Sequence, residues 1–181
     1  LLFNRNSMYI VNVSTYGEEF MEEVHKWKGV SHPYHVVWTP EGIIWANTYS
    51  VYIYNGKDVL DLMETKKGTF KDNRSISRSD WESFFSDSST DPSIVIYEPT
   101  DNQIIVKRST TGSSDKNCGD IYLLDLDNGG WSFGKDRFIS ESATSAPKQS
   151  NAITTADGRV FMLKSIEDNG GKFRNWGIIG E

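Results

Sequence analysis

Gly119-Asp120-Ile121-Tyr122-Leu123-Leu124-Asp125-Leu126-Asp127-Asn128-Gly129-Gly130-Trp131-Ser132-Phe133-Gly134 is the stretch from which the fold of this chain is read. Residues 121–126 are apolar and β-prone, as a strand inside a packed sheet is. Asp127-Asn128-Gly129-Gly130 offers several residues that tolerate positive φ, the chemistry of a tight hairpin turn. A second strand then begins, with Trp131 and Phe133 on one face and Ser132 and Gly134 on the other. Buried strand, tight turn and aromatic-led strand together describe the outer half of a β-propeller blade.

Working outward, the same grammar recurs. Residues 34–39 read as a strand, Pro40-Glu41-Gly42 as a turn, and 43–47 and 51–54 as strands. Asn55-Gly56 is a type I′ hairpin signal, and 57–62 pairs back. Further on come a strand at 94–97, a turn at Pro99-Thr100-Asp101-Asn102, a strand at 103–108 and an extended loop at 109–117. A third unit has a strand at 151–155, a turn at Ala156-Asp157-Gly158, a strand at 159–164, a polar loop at 167–171 and a strand at 172–179. Upstream, 7–14 reads as a strand and Tyr16-Gly17 as a turn. Residues 18–27 fit a helix by the spacing of Phe20, Val24 and Trp27, but a hairpin strand is preferred by analogy with the repeats.

The turns at Gly42, Asn102 and Gly158 recur about every 55–60 residues, longer than a compact propeller blade of about 40–50. The excess lies in two polar connections. One is 63–79, followed by a short helix that Ser79 caps and Glu82 boxes; the other is 140–150. The predicted fold is all-β: antiparallel meanders resembling propeller blades, about three of them, with a β-sandwich as the rival. The predicted organisation is a partial blade and a full four-strand meander in 1–62, a polar connection with a short helix in 63–92, a second meander in 93–139, and a linker with a third partial blade in 140–181. Three blades are fewer than a ring needs, so the segment reads as part of one. Its opening Leu1-Leu2-Phe3 reads as the interior of a longer protein.

Composition narrows the functional classes. The 181 residues carry 13% aromatics, enough for a packed core, and a net charge of −6. That balance argues against a nucleic-acid footprint. No apolar run reaches the roughly 20 residues of a membrane span. The single cysteine, Cys118, cannot pair within the chain and sits in a polar loop without the His or helix terminus that activates a thiol.

Candidate chemistry is sparse. His32-Pro33-Tyr34-His35 has metal-like spacing, but an extended segment does not bring both rings to one side and no carboxylate or Cys cluster accompanies them. His35 is expected to enter a strand, and His25 stands alone. Asp125-Leu126-Asp127-Asn128-Gly129 resembles a calcium loop only in part; it lacks the third acidic ligand and the distal bidentate Glu. No nucleophile elbow, phosphate loop or zinc-helix motif occurs. Trp38, Trp45, Trp131 and Trp176 could form a sugar-stacking platform, but packing between neighbouring sheets is the preferred reading, with Trp131 largely buried there. No catalytic, cofactor-binding or metal-ligating residue is expected, and no cofactor.

Residues 119–138 resemble the blade signature of virion structural proteins of tailed bacteriophages, notably propeller-bearing tail proteins such as the nozzle of short-tailed phages. The shared pattern is an acidic residue, an Ile-Tyr strand, a turn and then Trp131-Ser132. Trp38-Thr39-Pro40-Glu41-Gly42-Ile43-Ile44-Trp45-Ala46-Asn47 and Tyr52-Ile53-Tyr54-Asn55-Gly56 are similar to the preceding blade. The resemblance implies a mechanical role without catalysis: other tail subunits as partners in a homo-oligomeric ring, in a virion assembled in the bacterial cytoplasm. The alternative is a carbohydrate-binding or carbohydrate-active propeller of a bacterial surface protein.

Overall fold

The computed structural model describes residues 1–14, 17–64, 76–89, 92–108, 120–135, 149–155, 158–168 and 171–179, the side chains of 149–153 and 162–179 excepted. Cys118, the 109–117 loop, Tyr16 and most of the 140–150 linker lie outside the described residues.

The fold is all-β and antiparallel. A first sheet contains β1 (Leu2–Phe3), β2 (Ser7–Asn12) and β3 (Phe20–Lys26) in the order β1-β2-β3. The β3 segment is a strand, and its register with β2 shifts between Ile10 and Val11. A short 3-10 turn at Pro33–His35 precedes the second sheet: β4 (Val36–Thr39), β5 (Gly42–Ala46), β6 (Val51–Tyr54) and β7 (Val59–Asp61). Helix α1 (Arg78–Phe84) follows. The third sheet is β8 (Ile94–Glu98), β9 (Gln103–Lys107), β10 (Ile121–Asp125) and β11 (Trp131–Gly134), a meander like the second. The fourth holds β12 (Gln149–Thr154), β13 (Val160–Asp168) and β14 (Gly171–Ile179). Glu167 and Asp168 lie in β13 and Gly171 in β14, so the expected polar loop at 167–171 is shorter than read. Strand pairing carries on to Asp168↔Gly171.

The sheets pack face to face in chain order, and residue alternation sorts their side chains. On β5, Ile43 and Trp45 face the first sheet with Met8 and Ile10, while Ile44 and Ala46 face the third. On β8, Val95 faces the second sheet, whereas Ile94 and Ile96 join Ile105, Ile121 and Val160 of β13 on the other side. A strand covered on both faces has no polar side to show, which is why the central strands read as unbroken apolar runs. The first strands of successive sheets touch in series, β4 to β8 and β8 to β12. Thr154 Oγ1 donates to the Tyr97 carbonyl at 3.0 Å across the last of these junctions.

The polar connection is more than a spacer. Ile76, Trp81, Phe84 and Phe85 are buried in the cluster between the second and third sheets. Seven residues make a marginal helix in isolation; burial of Trp81 and Phe84, three residues apart and hence on one face, holds it. The cap is Ser77, not Ser79: its Oγ accepts the Asp80 N–H at 3.1 Å and donates to Asp80 Oδ2 at 2.6 Å. Trp81 Nε1 donates to the Asn47 carbonyl at 2.8 Å, tying the helix to the end of β5.

The Asn55-Gly56 turn also differs from its sequence reading. Tyr54 pairs with Val59, so the connection is a four-residue loop. The Asn55 carboxamide accepts the N–H groups of Lys57 and Asp58 at 3.0 and 2.8 Å, and of the two residues Gly56 alone has positive φ. A side chain that caps two amides stabilises the longer turn over the two-residue one.

Candidate functional site

Two polar assemblies and two aromatic features are the places where chemistry could reside. The first assembly gathers hairpin turns at one end of the stacked sheets. Asn102, at φ +50°, closes the β8–β9 turn and donates from Nδ2 to Glu41 Oε1 at 2.9 Å and to Asp127 Oδ1 at 2.7 Å. Tyr97 donates its phenol to Asn102 Oδ1 at 3.1 Å. One carboxamide thus ties the β4–β5, β8–β9 and β10–β11 turns together. Burial would raise the Glu41 pKa, but hydrogen bonds from Asn102, its own backbone and Thr39 outweigh it and leave the carboxyl below its ordinary value. Asp125 is bonded inside its own turn: Oδ1 accepts from the Asp127 and Asn128 N–H groups and Oδ2 from Asn128 Nδ2. Among the described residues no group of three or more His, Cys, Asp and Glu is placed to hold a metal.

The second assembly joins the first two sheets to the segment after α1. Asp87 Oδ2 accepts from Arg5 Nη2 at 3.2 Å and from Ser31 Oγ at 3.3 Å, and the Asp87 carbonyl meets His32 Nε2 at 3.0 Å. His35 lies behind them, fully buried, in the 3-10 turn before β4 rather than in a strand. Its ring stands edge-on to Phe85 at 4.8 Å and to His32 at 5.3 Å. Neither ring nitrogen makes a hydrogen bond of normal geometry with a described group. Burial lowers its pKa from 6.5 to about 4; His32 adds to the fall, while Asp87 and the nearby Ser93 backbone oppose it. The H-x-x-H pair therefore forms a structural joint: one imidazole is bonded to a backbone carbonyl and the other is enclosed.

The tryptophans separate into distinct roles. Trp45 is buried and donates Nε1 to the Lys28 carbonyl at 2.8 Å. Trp131 is partly buried at the junction of the second and third sheets, donating to the Leu62 carbonyl at 3.2 Å. It is thus less enclosed than expected, because the fully buried Trp81 occupies the centre of that junction, 6.1 Å away. Trp38 does not pack between sheets at all: it is 76% exposed. The Trp176 side chain is among those not described.

Trp27, which the spacing argument used only for periodicity, has the left-handed backbone at φ +66° and is 61% exposed. Two hydrogen bonds hold that conformation, from its N–H to the Asn6 carbonyl at 2.7 Å and from Asn47 Nδ2 to its carbonyl at 2.9 Å. The indole meets the exposed Tyr49 edge-on at 6.0 Å. Tyr49 borders a small cleft with Ser50, Asp61, Glu64 and Arg78, in which Ser50 Oγ hydrogen-bonds Asp61 Oδ1. Positive φ at a tryptophan cannot be read from local sequence, so this pair carried no signal.

No family model matches the chain, and no curated protein or solved structure matches it significantly. These comparisons add nothing to the resemblance to phage tail proteins. Among the described residues no helix is long and apolar enough to cross a membrane.

Proposed function

We propose that the chain is a structural subunit of a repeated assembly, of the kind found in bacteriophage tails, acting through protein–protein interfaces and without turnover of its own. The four sheets are read as blades packed side by side, their first strands in series. The observation that carries the proposal is an exposed apolar face on the first sheet. The first sheet turns Leu2, Val24 and Met21 outward, exposed, on the face away from the second sheet. The end unit of a repeat array normally presents a polar outer face; an apolar one suits a further packing partner. The test is mass photometry and electron microscopy of the full chain, alone and with purified virions. Discrete oligomers or incorporation into tails support the proposal. A permanent monomer that leaves virions unlabelled and cleaves a polysaccharide overturns it.

The exposed Trp27–Tyr49 pair beside Asp61 and Arg78 favours the second reading, carbohydrate binding, since aromatic faces with flanking polar groups suit sugar rings. Glycan-array binding lost on Trp27→Ala supports that reading.

A further inference from the structure

Asn55-Gly56 lies in the loop between β6 and β7, and Asn128-Gly129 in the loop between β10 and β11. Both pairs are exposed, so water reaches both. A further Asn-Gly pair, residues 169–170, lies outside the described residues. In an Asn-Gly pair the glycine nitrogen can attack the preceding carboxamide, because no side chain stands in the way. The attack needs a free nitrogen, a free leaving group and stabilisation of the charge that develops on the carboxamide oxygen. The fold grants these to one pair and withholds them from the other. The Asn55 carboxamide folds over Gly56 so that Oδ1 accepts the Lys57 and Asp58 N–H groups at 3.0 and 2.8 Å. Those donors point at the oxygen on which charge builds. Among the described residues neither the Gly56 N–H nor Asn55 Nδ2 has a hydrogen-bond partner. The Tyr54 phenol holds Gly56 by its carbonyl at 3.0 Å, and nothing lies within 4 Å of the place a Cβ would take. At the other pair the Gly129 N–H is given to the Asp125 carbonyl at 2.9 Å, and Asn128 Nδ2 is held by Asp125 Oδ2. Asn128 Oδ1 has one amide donor, Gly130.

We propose that Asn55 is a site of spontaneous deamidation in the folded chain, and that the turn around Asn128 blocks the same reaction there. The Gly56 nitrogen gives its proton to solvent and bonds to Asn55 Cγ. Negative charge forms on Oδ1, facing the Lys57 and Asp58 amides. The tetrahedral centre collapses by breaking the Cγ–Nδ2 bond, and Nδ2 leaves with a proton from water as ammonia. The product is a five-membered succinimide joining Asn55 Cγ to the Gly56 nitrogen. Water then adds to one of its two carbonyl carbons. Opening at Cγ gives aspartate, and opening at the main-chain carbonyl gives isoaspartate; no oxidant or reductant takes part. The two products differ in their effect on the hairpin. An aspartate at 55 keeps an oxygen for the Lys57 and Asp58 amides. An isoaspartate runs the main chain through Cβ and Cγ, lengthens it by a methylene and loses the cap, so the adjacent Tyr54↔Val59 pairing of β6 with β7 is the first to suffer.

The test is incubation of the full chain at mildly alkaline pH, folded and in urea. Peptide mapping by mass spectrometry follows the replacement of NH2 by OH at each site. Folded Asn55 should convert at least about tenfold faster than folded Asn128, whose hydrogen bonds must break before the attack. In urea the two rates should converge, because the local dipeptide is the same. An isoaspartyl-specific methyltransferase should label the peptide containing residue 55 and leave the one containing residue 128 unlabelled; Asn55→Ser should abolish the first label. Similar rates at the two folded sites, or a folded Asn55 slower than Asn55 in urea, overturn the proposal. So does a gap that persists in urea, which would place its cause in the neighbouring sequence rather than in the turns.

Discussion

The second and third sheets and the first sheet are built from similar sequence and meet different fates. Strands β5, β6, β8, β9 and β10 are covered on both faces, and their side chains divide between two neighbouring clusters. The first sheet spends Met8 and Ile10 on one cluster and leaves its other face to solvent. The difference teaches that apolar content alone does not define a core here. What defines it is whether a second layer arrives on the far side, and for β2 and β3 none does among the described residues.

Substitutions sharpen the contrast, beginning where the effect is greatest. Trp81→Ala removes the fully buried indole between the second and third sheets and should cost about 3–5 kcal/mol in denaturant unfolding. Trp38→Ala should stay within about 0.5 kcal/mol. Equal losses from the two would break the distinction between covered and bare sheet faces.

Gly42 comes next. Its φ is +144°, and a Cβ there would lie 2.2 Å from the Tyr54 carbonyl oxygen, a backbone atom that cannot step aside. Gly56, at φ +95°, has open space around it. Gly42→Ala should therefore destabilise by more than about 2 kcal/mol and Gly56→Ala by about 1 kcal/mol, a difference visible in paired thermal melts. A Gly42→Ala variant as stable as Gly56→Ala would show that β4–β5 and β6 do not approach so closely.

The joint between the two regions supplies a pH dependence. His35 has a native pKa of about 4 against 6.5 in the unfolded chain. Between those values the unfolded state binds the extra proton, so stability rises with pH across the window and is lost as pH falls through it. Urea midpoints measured between pH 7 and pH 4 should fall, and His35→Leu should flatten the slope. An unchanged slope in that variant would place the acid sensitivity elsewhere.

The smallest expected effect lies on the outward face. Val24→Ala on β3 should change the stability of the isolated chain by less than about 0.5 kcal/mol, because its side chain is already in water. A loss comparable with that of a core aliphatic would mean that this face is covered in the isolated chain.

The all-β class and the strands read at 51–54, 94–97 and 103–108, within a residue of β6, β8 and β9, were legible in the sequence, because two-sided burial writes itself as consecutive β-branched and aromatic residues. The β3 assignment came from analogy with the repeats, against a helical spacing of Phe20, Val24 and Trp27 that had no cluster to serve. β1 was missed, since two residues carry no period. The helix was legible but its cap was displaced. Ser77 with Asp80 and Ser79 with Glu82 fit the same pattern equally, and placing Trp81 and Phe84 in the core favours the first.

By itself, then, the sequence determined local matters: which segments extend, where Gly42, Asn102 and Gly129 turn the chain, and that no familiar catalytic spacing occurs. The tertiary structure decided everything that depends on a second layer. It buried Trp45 and Trp81 while leaving Trp38 and Trp27 outside, enclosed His35 so that its ring stays neutral, and converted part of a polar connection into core. The physical reason is range. Turn geometry and strand propensity are set by a few adjacent residues, whereas burial, and with it the pKa of an imidazole or the exposure of an indole, is set by residues tens of positions away along the chain.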